Sequence, residues 1–168
     1  MSLQSFRQGY ERFLEWIAIA LMVTLAVEVT AGVVFRYSGY SLVWYDEVAC
    51  ILLAWVTYYG SALAVLKHAH LGVPEIVRML PTSLRVAATV LAQACTLAFF
   101  VLLAWTGISV LEILSTDYMV SLPAVSVAWA NSVIPVSAVL IVLGQVLVFP
   151  EVLAEARQGR IEKAEELI

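Results

Sequence analysis

Glu28 is the residue of this sequence whose type and position most suggest chemistry, because it is a carboxylate inside a long apolar run. A charged side chain within a membrane-spanning segment is costly unless it is paired or hydrated, so it often marks a functional site. A lone carboxylate at this depth would suit a small proton-coupled exporter that works alone. The alternative is a structural carboxyl group that hydrogen-bonds to a partner helix or reaches toward the outer headgroups. No second acidic residue lies at a matching depth, which favours the structural alternative.

The two histidines, His68 and His70, are the next candidates, and they follow Lys67 at the end of an apolar run. Cofactors in helix bundles are held by side chains on facing helices. Two histidines close together in sequence, at one membrane edge, fit haem poorly, so the membrane anchor of a haem- or quinone-binding redox complex is only an alternative. The sequence contains no Ser/His/Asp set, phosphate-binding loop, metal-ligand cluster or CxxC pair. We therefore expect no enzyme, no metal and no cofactor.

The composition indicates a membrane protein. Of the 168 residues, 62% are hydrophobic and 13% are charged, whereas soluble domains carry about 25% charged residues. The formal net charge of -4 argues against a nucleic-acid partner, which would require a basic face.

Four apolar runs are long enough to cross a bilayer, which takes about 20 residues in a helix. These runs are residues 13–35, 47–66, 86–111 and 127–149. They are too long for barrel strands and do not alternate apolar with polar residues. The sequence therefore predicts an all-α integral membrane protein, with a four-helix transmembrane domain over residues 1–150 and a cytoplasmic tail over 151–168.

The basic residues predict the orientation, because loops rich in Lys and Arg stay in the cytoplasm. Eight of the nine basic residues fall in the N-terminal arm, the connection between the second and third runs, or the C-terminal tail; the ninth is Arg36. We expect a bacterial inner-membrane protein with both termini in the cytoplasm. The first run would serve as an uncleaved insertion signal, because it exceeds the length of a cleavable one.

Two short amphipathic segments are predicted to lie in the cytoplasmic interface. Residues 1–16 place Phe6, Tyr10 and Phe13 at helical spacing, with charged residues opposite, as in an interfacial arm. Residues 71–81, with Pro74 as a helix starter and Pro81 as a stop, suggest a short interfacial helix.

The hairpin between the first two runs carries Arg36 on one side and Trp44, Asp46 and Glu47 on the other. Acidic residues at a helix N-terminus are stabilised by the helix dipole. We predict an ion pair of Arg36 with Glu47 or Asp46 that closes this hairpin, with Trp44 in the outer aromatic belt.

Packing residues are expected deeper in the membrane. Trp55 is placed to pack against protein, and Gly60 with Ala64 forms a small-xxx-small step that permits close helix approach. Pro135 lacks an N–H and frees the carbonyl of Asn131, so a kink is predicted in the last helix.

The order of these features resembles a known family. The motifs are Arg36-Tyr37, Trp44-Tyr-Asp-Glu47, Trp55 with Gly60, Lys67-His-Ala-His70-Leu-Gly-Val, Ser121-Leu-Pro123, Trp129 and Ile134-Pro135. Over about residues 13 to 149 the chain resembles the DctQ-like small membrane subunit of tripartite ATP-independent periplasmic (TRAP) transporters.

That resemblance implies a non-catalytic role. Such subunits work with a much larger membrane subunit, which holds the substrate and sodium sites, and with a periplasmic binding protein that delivers an organic acid. The small subunit would act as a scaffold in the lipid membrane. Its structural and interface residues would be Arg36, Trp44, Asp46, Glu47, Trp55, Gly60, His70 and Pro135.

Overall fold

The computed structural model describes residues 3–67 and 80–158, and the elements within these ranges are helices. They are α1 (Leu3–Tyr37), α2 (Tyr45–Leu66), α3 (Thr82–Leu114), α4 (Val127–Asn131) and α5 (Val133–Gln158). Four stretches are long and apolar enough to cross a membrane, the fourth being formed by α4 and α5 together. The predicted fold class, an all-α membrane protein with four spanning helices, is confirmed.

The long helices are arranged as a row. α1 packs along α2, α2 along α5, and α5 along α3. We call the end of the bundle with Arg7, Lys67 and Arg85 the basic end, and the opposite end, with the connections after α1 and α3, the loop end. At the loop end α1 is followed by Gly39, whose φ of 82° suits glycine, and Tyr40 N–H donates to Phe35 O over 3.0 Å.

The buried core lies in the half of the bundle nearer the basic end. It is an apolar cluster of Leu14, Ala62, Val65, Leu66, Ile141 and Val148. Gly144 lets the backbone of α5 come close to α2, because a Cβ there would lie 3.5 Å from Val65 Cγ1. The core therefore joins α1, α2 and α5, whereas α3 buries only Arg85 among its residues.

The N-terminal arm differs from its predicted form. It is helical, but it continues without a break into the first span as a single 35-residue helix, α1, about 50 Å long at 1.5 Å per residue. Three of its four charged residues face the protein: Arg7 contacts α2 and α5, and Glu11 and Glu15 contact Lys67 just beyond the end of α2. These contacts hold the arm against the bundle.

The other two segments are only partly described. His68, His70 and residues 71–79 of the predicted interfacial helix lie outside the described residues. The last helix passes the predicted boundary at residue 150 and continues to Gln158.

Candidate functional site

Glu47 connects the start of α2 to the loop after α3. Its carboxylate Oε2 accepts a hydrogen bond of 2.9 Å from the backbone N–H of Ser121. The predicted ion pair is wrong, because Arg36, exposed in the last turn of α1, pairs with neither Asp46 nor Glu47. The backbone N–H of Ser121, in a loop distant in sequence, donates to the Glu47 carboxylate that Arg36 was expected to bind.

The loop over residues 115–126 is folded back on itself. Tyr118 and Ser126 form an antiparallel bridge, and Met119 N–H donates to Val125 O over 3.0 Å. Val127 N–H donates to Asp117 O over 2.9 Å. Met119 is buried, while its neighbour Val120 is 91% exposed. The loop thus presents a defined apolar tip at the loop end.

A shallow hollow lies at the C-terminal end of this loop. It has a volume of about 340 Å³ and is lined by Ala124, Val125, Ser126 and Trp129. Ser126 also caps α4, since its hydroxyl accepts from Ala128 N–H over 3.2 Å. Trp129 is 57% exposed, so the hollow has an aromatic wall that is open to a partner.

Trp55 binds the last span where that span is interrupted. α4 ends at Asn131 and α5 begins at Val133, two residues before Pro135. This is where the kink was predicted. The indole N–H of Trp55 donates to Ala130 O over 2.9 Å, and the rings of Trp55 and Trp129 lie 5.0 Å apart between centroids. α2 thereby supplies a donor to a carbonyl beside the interruption.

Pro135 packs against α3 at a glycine that the sequence did not single out. A Cβ on Gly107 would lie 3.2 Å from Pro135 Cδ, closer than most such contacts. Gly60 makes no comparable approach, because no atom lies within 4 Å of where its Cβ would be. Among the residues that the structure describes, none makes a close approach at Gly60, so that side of α2 has room for another molecule.

Glu28 is placed on the inner side of α1, one turn from the contact of Gly32 with the Tyr45 ring. Both Glu28 carboxylate oxygens are buried and have no hydrogen-bond partner within the described residues. The charged group that acts on Glu28 is Asp46 of α2, which has the same sign. No group of three or more potential metal ligands occurs in the described ranges.

Two further polar contacts, which the sequence did not reveal, hold the basic end together. The Arg7 guanidinium donates to Leu66 O over 3.0 Å and pairs with Glu151 of α5. Arg85, 3% exposed, donates through Nε to Ala156 O over 2.6 Å, near the end of α5. Cations are favoured at helix C-termini, where carbonyls lack partners.

Lys67, just beyond the end of α2, completes this arrangement. Its ammonium lies 2.5 Å from Glu15 and 3.7 Å from Glu11 of α1. The hydrogen bond from Lys67 to Glu15 and the charge of that carboxylate raise the pKa of Lys67 above its ordinary value of 10.5. Lys67 therefore stays charged at neutral pH and links α2 to the N-terminal turns of α1.

Comparison with known proteins identifies the family to which this architecture belongs. The model of the family described as tripartite ATP-independent periplasmic transporters, DctQ component, matches residues 25–154. The chain is also similar to the C4-dicarboxylate TRAP transporter small permease protein DctQ of Vibrio cholerae serotype O1, with 31% identity over 99 residues. That alignment covers 58% of this chain and 41% of the relative, so the matched part spans less than half of the relative's length.

The family match includes all of α2, α3 and α4, most of α5, and the part of α1 from residue 25 onward, and thus every contact described at the loop end. The resemblance inferred from the sequence motifs is therefore confirmed: the chain belongs to the DctQ family, a membrane component of TRAP transporters.

Proposed function

We propose that this chain is the non-catalytic small membrane subunit that braces the large transport subunit of a TRAP transporter. A periplasmic binding protein would deliver an organic acid to the complex. A sodium gradient would drive the uptake of that acid. The basic end would face the cytoplasm and the loop end the periplasm, in the bacterial inner membrane.

The observation that carries this proposal is the row arrangement of the helices. α3 packs mainly against the last span, and large apolar side chains along it remain uncovered, including Phe99, Leu102 and Trp105, which is 74% exposed. Such a row has a large apolar surface for its volume, and both lipid and another membrane subunit can cover it. Close packing and small residues drive association between spanning helices. The open space at Gly60 provides one such position on α2.

The proposal assigns the polar residues to assembly. Asp46 and Glu47 stabilise the start of α2, Trp55 and Pro135 shape the last span, and Trp44 precedes α2 at the loop end. The loops over residues 38–45 and 116–124 would help dock the binding protein. His70 keeps its predicted interface role, although it lies outside the described residues.

Affinity purification of the tagged chain in mild detergent, followed by mass identification, tests the partnership. The expected result is co-purification of a large polytopic membrane protein. Gly60→Leu should reduce its yield several-fold, while Gly9→Leu is the matched control, because Gly9 also has no atom within 4 Å of a Cβ position. Equal yields for the two variants would argue against a subunit contact at Gly60.

Reconstitution in liposomes distinguishes a bracing subunit from an exporter that works alone. Liposomes that contain this chain alone should show no transport, whereas those that also contain the large subunit and the binding protein should take up the organic acid. Proton-coupled transport by the isolated chain, abolished by Glu28→Gln, would overturn the proposal.

A further inference from the structure

The geometry points to Glu47 as a positioning residue that holds the 115–126 loop in the conformation on which the binding protein docks, an inference that rests on the function proposed above. The Glu47 carboxylate is half-buried and accepts from the Ser121 amide next to the loop tip. Hydrogen bonds to ionised acceptors are stronger than those between neutral groups. This bond ties the tip to a rigid helix.

A second attachment holds the other end of the same stretch. Trp55, eight residues after Glu47 on α2, donates to Ala130 O at the end of α4. Between these two points the chain is closed by the Tyr118–Ser126 bridge and by the hydrogen bond from Val127 N–H to Asp117 O. α2 therefore fixes both sides of the loop, and the exposed tip at Val120 has a preformed shape. A preformed loop loses less entropy when a partner binds.

Charge specifies the kind of surface that fits this loop. The described residues at the loop end include four carboxylates, those of Asp46, Glu47, Glu112 and Asp117, and one guanidinium, that of Arg36. The matching face of the binding protein should therefore carry basic residues around an apolar contact for Val120. Complementary charge of this kind steers association and weakens as salt is added.

Three substitutions separate the hydrogen bond from the charge. Glu47→Ala removes both, Glu47→Gln removes the charge but keeps an oxygen that can accept from Ser121, and Asp46→Ala removes a neighbouring charge without touching the bond. The complex of this chain with the large subunit, in nanodiscs, is titrated with a fluorescently labelled periplasmic binding protein of the same transporter. We expect Glu47→Ala to raise the Kd about tenfold, as for loss of one charge-assisted hydrogen bond, and the other two to raise it about twofold.

Hydrogen exchange of the same complexes provides a readout that does not depend on docking. Amides of residues 115–126 should exchange faster in Glu47→Ala than in Glu47→Gln or Asp46→Ala. If Glu47→Gln weakens docking as much as Glu47→Ala, or if the loop loosens in Glu47→Ala without any change in Kd, the inference is overturned. If the native complex does not bind the binding protein at all, the proposed function itself fails.

Discussion

The indole N–H of Trp55 lies 2.9 Å from the carbonyl oxygen of Ala130, at the point where the last span is interrupted. Pro135 and the interruption of the helix at Ser132 leave carbonyls near this point without their usual helical donors. A carbonyl without a donor is costly in apolar surroundings. The side chain of one spanning helix thus compensates for a defect in another.

Trp55→Phe should therefore destabilise the isolated chain. The ring volume is largely kept, but the Ala130 carbonyl loses its donor, which is expected to cost about 1–3 kcal/mol of unfolding free energy. Denaturant unfolding in mild detergent measures this. Trp129→Phe is the control, because Trp129 contacts the same ring without donating to Ala130, and an equal loss in both variants would contradict the role of the hydrogen bond.

Gly107→Ala should also destabilise the chain. The added methyl group would meet Pro135 at 3.2–3.3 Å, so α3 and α5 must separate slightly. Overpacking of this kind costs about 1–3 kcal/mol, measured in the same unfolding experiment. Gly60→Ala has open space around it and should be neutral, or stabilising by up to about 1 kcal/mol through helix propensity. The reverse order of the two variants would be incompatible with the packing described.

Arg85→Ala should loosen the basic end. It removes a buried donor from the carbonyl of Ala156, and we expect a loss of about 1–3 kcal/mol, together with faster amide exchange near the end of α5. Arg85→Lys should recover only part of the stability, because an ammonium cannot reproduce the planar guanidinium contact. Arg12→Ala, at an exposed position of α1, should change stability by less than about 0.5 kcal/mol. Full recovery in Arg85→Lys would show that charge alone is sufficient.

Because of Lys67, we expect the contact between α1 and α2 to lose stability at alkaline pH. Because its pKa is raised in the folded chain, the stabilisation is fully present below the ordinary value of 10.5 and is lost as pH rises through the higher folded value. Unfolding measured from pH 8 upward should therefore show a decline above about pH 10.5 that is smaller in Lys67→Met. Identical profiles for the two proteins would argue that the contacts with Glu15 and Glu11 contribute nothing.

Features that depend on neighbouring residues could be predicted from the sequence better than contacts between residues far apart in the chain. The apolar runs that mark the spans are local, and so is the missing N–H of Pro135, so the interruption at Ser132 lies where the sequence indicates. Glu47 was expected to bind Arg36, its nearest cation across the hairpin. Its actual partner, the Ser121 amide, follows 74 positions later, and no residue type at Ser121 signals a backbone donor.

The glycines illustrate the same difference. Gly60 has a small residue four positions later, which is typical of a packing step, yet the structure brings nothing close to it. Gly107 has no such pattern and makes the close contact, because the shape of Pro135 on another helix determines the approach. Likewise, the charged side of the N-terminal arm predicts a face toward water, whereas the carbonyl of Leu66 and the charges of Lys67 and Glu151 draw it inward.

The contacts of Arg7 with Glu151 and of Tyr10 with the Leu140 carbonyl join the first helix to the last. During synthesis, α1 and α2 are made before α5, so the contact of Arg7 with the Leu66 carbonyl can form early, whereas the contacts with Glu151 and the Leu140 carbonyl require α5. A chain truncated before α5 would keep the α1–α2 contacts but leave the Tyr10 hydroxyl without its acceptor. Synthesis of α5 is thus the step that completes the attachment of the N-terminal arm.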